Sequence, residues 1–227
     1  MTHIRLLRLI KKMKILLLGA TGRTGKLVLQ ALLKSGYEVN CLARNSERII
    51  PANGVTIMEG NASNSEDLQR AISDCEHVIS VLNISRKSGF PWSKLRTPKK
   101  YLSDVISRLV PISEMEKVKR IVVCSAWGVA ETRNDISKWF RWLIDNSNVG
   151  VTYLDHERQE KIITESKLDW TIVRPVGLTN SKRNETIKES FGSKPNLTIS
   201  RHSVAKYMVD SLDKEKLIEK KVVISKE

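Results

Sequence analysis

Cysteine is scarce in this chain. Cys41, Cys75 and Cys124 are odd in number, far apart and nowhere in Cys-x-x-Cys spacing, which excludes a disulfide framework and a zinc site of the usual ligand spacing. Long apolar runs are missing as well. The longest covers residues 15–20, far short of the roughly 20 residues a spanning helix needs, so no membrane span is expected. A signal peptide is not expected either: the basic start leads into a short apolar stretch, with no small-residue cleavage site before a structured motif begins. These absences predict a cytoplasmic protein. Acid is the minority charge, with 25 acidic against 39 basic residues and a net charge of +14. The excess is local, since residues 1–14 and 84–103 each carry bases and no acid. No helix-turn-helix, zinc-finger or RNA-binding signature accompanies it, so nucleic acid is not an expected partner.

What is present is an alternation. Apolar, β-rich runs at Lys14–Leu18, Glu38–Ala43, Val55–Glu59, His77–Leu82, Arg120–Cys124 and Trp170–Val173 are separated by stretches of helical periodicity, the pattern of βαβ units and a parallel sheet. The helices are expected around Leu27–Leu33, at Ser65–Ser73, Pro98–Val110, Tyr153–Ser166 and His202–Leu212. Two stretches, Ile84–Thr97 and Asn180–Ile199, break the rhythm and are expected to border a binding crevice. A chain of 227 residues suits one α/β domain over 13–227. Residues 1–12 read as a basic extension with no part in the fold.

Gly19-Ala20-Thr21-Gly22-Arg23-Thr24-Gly25 follows the first strand and opens the first helix. In that place Gly19 permits a tight turn, Gly22 lets backbone approach a pyrophosphate and Gly25 lets the helix pack close. The helix N-terminus then offers unpaired N–H groups to the phosphates, with Thr21 and Thr24 as further donors. At the end of the second strand, where an acid would hold the 2′-OH of NAD, stands Arg44, with Arg48 four residues on and Arg23 on the turn. That set favours the 2′-phosphate of NADP(H). The fold class is therefore α/β: a Rossmann-type, doubly wound parallel sheet in a single domain.

The glycine turn, Leu42-Ala43-Arg44, Glu59-Gly60-Asn61 and the late run Asp169-Trp170-Thr171-Ile172-Val173-Arg174-Pro175 resemble the atypical short-chain dehydrogenase/reductases. Within these the chain is most similar to the NmrA-like and biliverdin reductase B (flavin reductase) group. The resemblance implies that Asn61 and Ala62 lie near the adenine, Leu82 and Asn83 near the ribose and pyrophosphate, and Ser125 and Pro175 near the nicotinamide. Asn61 stands where the family usually has Asp, and Gly177 where the reductase group has His.

Ketone-reducing members protonate an alkoxide with a Tyr whose pKa is lowered by a Lys four residues on. None of Tyr37, Tyr101, Tyr153 or Tyr207 has that partner. The absence favours acceptors that delocalise incoming charge, such as flavins, quinones or tetrapyrroles. His156 is the remaining acid–base candidate, in an Asp-His pair that the reductase group also carries, with a surface His pairing with Glu160 as the plain alternative. Ser125 can bind substrate or the carboxamide. Trp127 and Trp139 offer rings on which a planar substrate can stack, and Trp92 sits in the basic loop expected to cover the crevice. The expectation is an NADPH-dependent oxidoreductase acting on a small planar substrate, as monomer or homodimer and with no metal. The alternative is a catalytically idle NADP(H) sensor of NmrA type.

Overall fold

Ile15 and Leu17 pack on one face of the sheet while Leu16 and Leu18 pack on the other, and all four are fully buried. A strand apolar on both faces belongs in the middle of a parallel sheet covered by helices on each side. The computed structural model describes residues 12–183 and 185–227. The expected extension therefore lies outside the described residues except for Lys12.

The elements alternate as the sequence predicts: β1 (Lys14–Leu18), α1 (Arg23–Lys34), β2 (Glu38–Ala43), β3 (Val55–Glu59), α2 (Ser65–Ile72), β4 (His77–Ser80), α3 (Tyr101–Met115) and β5 (Arg120–Cys124). The second half holds α4 (Lys138–Asp145), α5 (Val149–Thr164), β6 (Trp170–Pro175), β7 (Gly177–Thr179), β8 (Ile187–Ser190), β9 (Thr198–Ser200), α6 (Arg201–Asp210) and β10 (Lys220–Lys226). The main sheet runs β3-β2-β1-β4-β5-β6-β10-β8, all parallel except the edge pair of β8 with β10. The order reverses between β1 and β4, so a crevice opens at their carboxyl ends.

Several elements depart from the sequence reading. Helix α3 runs on through Pro111 to Met115. The ring removes one backbone hydrogen bond there, but Ile112 beyond it is buried in the core. Helix α5 begins four residues earlier than expected, and α4, β7, β8, β9 and β10 are additional elements. The stretch 180–199 is thus not wholly irregular: it holds the edge strand β8. Among the described residues, no helix is long and apolar enough to cross a membrane.

Candidate active site

The crevice is a cleft of about 880 Å³. A groove of similar volume lies at the other end of the sheet, beside Lys14, Asn40 and Met58, but it has no phosphate-binding turn. The cleft is lined by Gly19, Thr21, Gly22, Arg23, Thr24, Gly25, Arg44 and Arg48 on one side. Ala62, Leu82, Asn83, Ser125, Trp127, Trp139, His156 and Pro175 line the rest. Asn61 is not among the lining residues: its Oδ1 accepts from the backbone N–H of Ser63, and its own N–H donates to Asp67. Gly60 and Ala62 face the cleft instead.

Two glycines of the turn are dictated by space. Gly19 has φ +91, a left-handed conformation, and a Cβ there would meet the Val81 carbonyl at 3.0 Å. A Cβ on Gly25 would lie 2.0 Å from the Gly19 carbonyl oxygen, so α1 can start against the end of β1 only with glycine. The helix start is chemically distinctive as well. Helices α2, α4 and α6 are capped by Asn64, Ser137 and Ser200, and Ser147 Oγ accepts from the first N–H of α5. Helix α1 has no side-chain cap. The Gly22 N–H is donated to the Gly19 carbonyl at 3.0 Å, so the free N–H groups start at Arg23 and open, with the positive helix end, on the cleft, a geometry that can accept an anionic group. Arg44 lies beside it with its guanidinium 5.9 Å from the centre of the Tyr101 ring, a cation–π contact that holds the charge at the cleft wall. Arg201, at the start of α6, also lines the cleft; burial and the neighbouring Arg23 lower its pKa.

At the other end, Ser125 Oγ donates to Glu160 Oε1 at 2.5 Å. The same oxygen accepts from Arg174 Nε at 2.9 Å, and Arg174 is fork-bonded to Glu131 as well. Arg174 Nη2 and Glu160 Oε2 close the pair. Serine, glutamate and arginine are all buried. The Ser125 hydroxyl is therefore engaged as a donor within the protein, and its oxygen lone pairs remain to accept from a bound group.

His156 is buried on α5, and burial pushes its pKa down to about 4. Its partner is not Glu160 but Gln159, whose Nε2 lies 3.0 Å from Nδ1 and donates to the Cys124 carbonyl at 3.2 Å. Only the amide nitrogen can face that carbonyl, so Nδ1 accepts and the ring proton sits on Nε2. At neutral pH the group is an uncharged donor rather than an imidazolium, and its burial and its Gln159 partner replace the reading of a surface histidine paired with Glu160. Its neighbour Asp155 is equally buried and caps α3, accepting from Leu102 N–H at 2.6 Å and Ser103 Oγ at 2.5 Å. The Asp-His pair is thus one cap that locks α5 to α3 and one side chain on the cleft.

Tyr153 does not replace the missing tyrosine. Burial pushes its pKa up to about 12, and its hydroxyl donates to the Trp127 carbonyl at 3.3 Å. The Cys124 thiol is likewise pushed up to about 12 and is no nucleophile. Trp127 Nε1 and Thr152 Oγ1, buried atoms of cleft-lining residues, have no partner among the described residues. The basic loop borders the cleft as expected, through Ile84, Ser85, Arg86 and Thr97, but it does not cover it with Trp92. Residues 84–97 form a small hairpin closed by an Arg86–Leu95 bridge and tied to the corner between α4 and α5, where Trp92 Nε1 donates to the Asn146 carbonyl at 2.6 Å. Arg86 reaches the cleft; Trp92 does not.

Residues 19–215 match the family model described as NAD(P)H-binding. The chain belongs to this NAD(P)H-binding family. It is 24% identical over 207 residues to the uncharacterized sugar epimerase YhfK of Bacillus subtilis, covering 89% of each chain. Its fold is that of a short-chain dehydrogenase/reductase from Veillonella parvula solved with NADP (TM-score 0.76, 20% identity, 94% of each chain). It is equally that of ChuY, an anaerobilin reductase from Escherichia coli O157:H7 (TM-score 0.77, 17% identity, 94% of this chain and 97% of the other). The resemblance to atypical short-chain dehydrogenase/reductases holds at the level of fold, and the chain is a member of an NAD(P)H-binding family with proteins named as a reductase and an epimerase among its relatives.

Proposed function

We propose that the protein is an NADPH-dependent reductase that delivers hydride to a planar, conjugated acceptor such as a flavin, quinone or tetrapyrrole. The observation that supports it best is the division of the cleft. One end carries the uncapped start of α1 with Arg44 and Arg48 beside it; the other carries rings and neutral hydrogen-bonding groups with no titrating acid.

The reduced nicotinamide supplies the hydride. The chain supplies position and polarity. Backbone N–H groups from Arg23 to Gly25 would hold the pyrophosphate, since the Gly22 N–H is already donated to the Gly19 carbonyl, while Arg44 and Arg48 would take the 2′-phosphate. Ser125, its proton committed to Glu160, accepts from the carboxamide N–H. Trp127 and Trp139 flank the acceptor, and His156 Nε2–H donates to a carbonyl oxygen on which negative charge develops. An acceptor that spreads this charge over a conjugated ring needs no strong acid beside it.

One observation favours a second reading, a protein that binds NADP(H) and reports its level without turnover: neither His156 nor Tyr153 titrates near neutrality. Both readings are separated by steady-state NADPH oxidation with FMN, riboflavin, a soluble quinone and biliverdin as acceptors. Acceptor-dependent oxidation supports the reductase, whereas tight NADPH binding without oxidation supports the sensor.

A further inference from the structure

Four large aromatic side chains stand out from the surface on one side of the cleft mouth. Phe90 is 63% exposed, Trp92 43%, Trp139 67% and Trp142 55%. They are not scattered. Phe90 and Trp92 pack ring to ring, 5.2 Å between centres, at the tip of the 84–97 hairpin. Trp139 and Trp142 lie three residues apart on α4, hence on neighbouring turns of one face. The hairpin is bolted to that helix: Trp92 Nε1 donates to the Asn146 carbonyl, while the Asn146 side chain donates to the Trp142 carbonyl. Asn148 Nδ2 donates to the carbonyls of Trp92 and Ser93. The two pairs therefore form one rigid aromatic surface.

Its charge is mostly positive. Residues 84–103 contain six bases and no acid, and exposed Lys87 and Lys94 face each other across the hairpin through a backbone hydrogen bond. Lys138 opens α4, and the one acid of that helix, Asp145, is taken by Arg133. Indole and phenyl rings with lysines around them are the chemistry of a membrane–water interface: the rings settle at headgroup depth, and the ammonium groups meet anionic phosphates. The surface protrudes as a hairpin tip and a helix face, where a single-stranded nucleic acid would want a groove to follow.

We propose that this surface, formed by the 84–97 hairpin and the outer face of α4, docks the protein on an anionic lipid bilayer. Trp139 belongs to both the surface and the cleft wall, so docking brings the mouth of the cleft to the bilayer. The proposal is independent of turnover.

The test is co-sedimentation of the full chain with vesicles of phosphatidylcholine alone or mixed with phosphatidylglycerol. Binding is expected to the anionic vesicles only, to weaken with added salt, and to fall about tenfold or more in Phe90→Ser/Trp142→Ser and in Lys87→Glu/Lys94→Glu. In the unmodified protein, lipids brominated on their acyl chains should quench tryptophan emission, a readout that needs no variant. Absence of binding, equal binding to neutral vesicles, or binding that both double variants leave intact overturns the proposal. So does a dimer in solution that Trp142→Ser dissociates, which would assign the surface to a second copy.

Discussion

Ser125 Oγ and Glu160 Oε1 lie 2.5 Å apart, joining the serine at the end of β5 to a buried carboxylate on α5. Glu160 is in turn the partner of fully buried Arg174. One helix turn thus fixes which hydrogen-bonding character the floor of the cleft presents.

Glu160→Gln should be expensive, because it removes the buried carboxylate that faces Arg174 and leaves that buried charge to Glu131 alone. Breaking a buried pair from one side costs up to about 3–5 kcal/mol, or roughly 6–20 °C in Tm for a chain of this size. Ser125→Ala removes one hydrogen bond to a charged acceptor and should cost only about 1.5–3 kcal/mol. Thermal unfolding of the two variants checks the order.

Arg44→Asp should weaken NADPH binding by roughly 10- to 100-fold, as expected for losing a charge-assisted contact to a phosphate dianion. NADH binding should change little. Calorimetric titration with both nucleotides measures the difference, and an unaltered NADPH affinity would remove Arg44 from the 2′-phosphate site.

Gly25→Ala should abolish binding of both nucleotides alike. Its Cβ would be 2.0 Å from the Gly19 carbonyl oxygen, so the start of α1 must move off the end of β1 and the phosphate seat is lost. Secondary structure should survive by circular dichroism.

His156 gives the pH dependence. Its pKa is near 6.5 in an unfolded chain and about 4 when buried, so between these values the unfolded chain binds the extra proton. Stability from this group is complete above about pH 6.5 and is lost as the pH falls towards 4, by about 3 kcal/mol in all. His77 shifts in the same direction, so the contribution of His156 is the difference between wild type and His156→Gln in urea unfolding at pH 7 and pH 4.5. If the two proteins lose stability in parallel, the burial argument fails.

Much of the fold was legible because its strands are short apolar runs with clear stops. β1, β2, β3 and β5 carry the boundaries read from sequence. Pro111 hid the last turn of α3, since a breaker that removes one hydrogen bond cannot be weighed against the burial of Ile112 beyond it. β10 had a signal in Val222-Val223-Ile224, fully or nearly buried, between polar flanks that obscured it. The glycine turn and the arginines were readable because local spacing alone defines them. The Ser125–Glu160–Arg174 chain was not, because its partners meet only when β5, β6 and α5 pack. The same is true of Asp155, whose ligands on α3 are 52 and 53 residues away. His156 was visible as a residue, but its neutral state follows from burial that spacing does not reveal.

If the start of α1 and Arg44 form a seat for NADPH rather than for nucleotides in general, calorimetric titration of the wild-type protein should show NADPH bound more tightly than NADH by about tenfold or more. Equal affinities, or a preference for NADH, would remove the 2′-phosphate from this site.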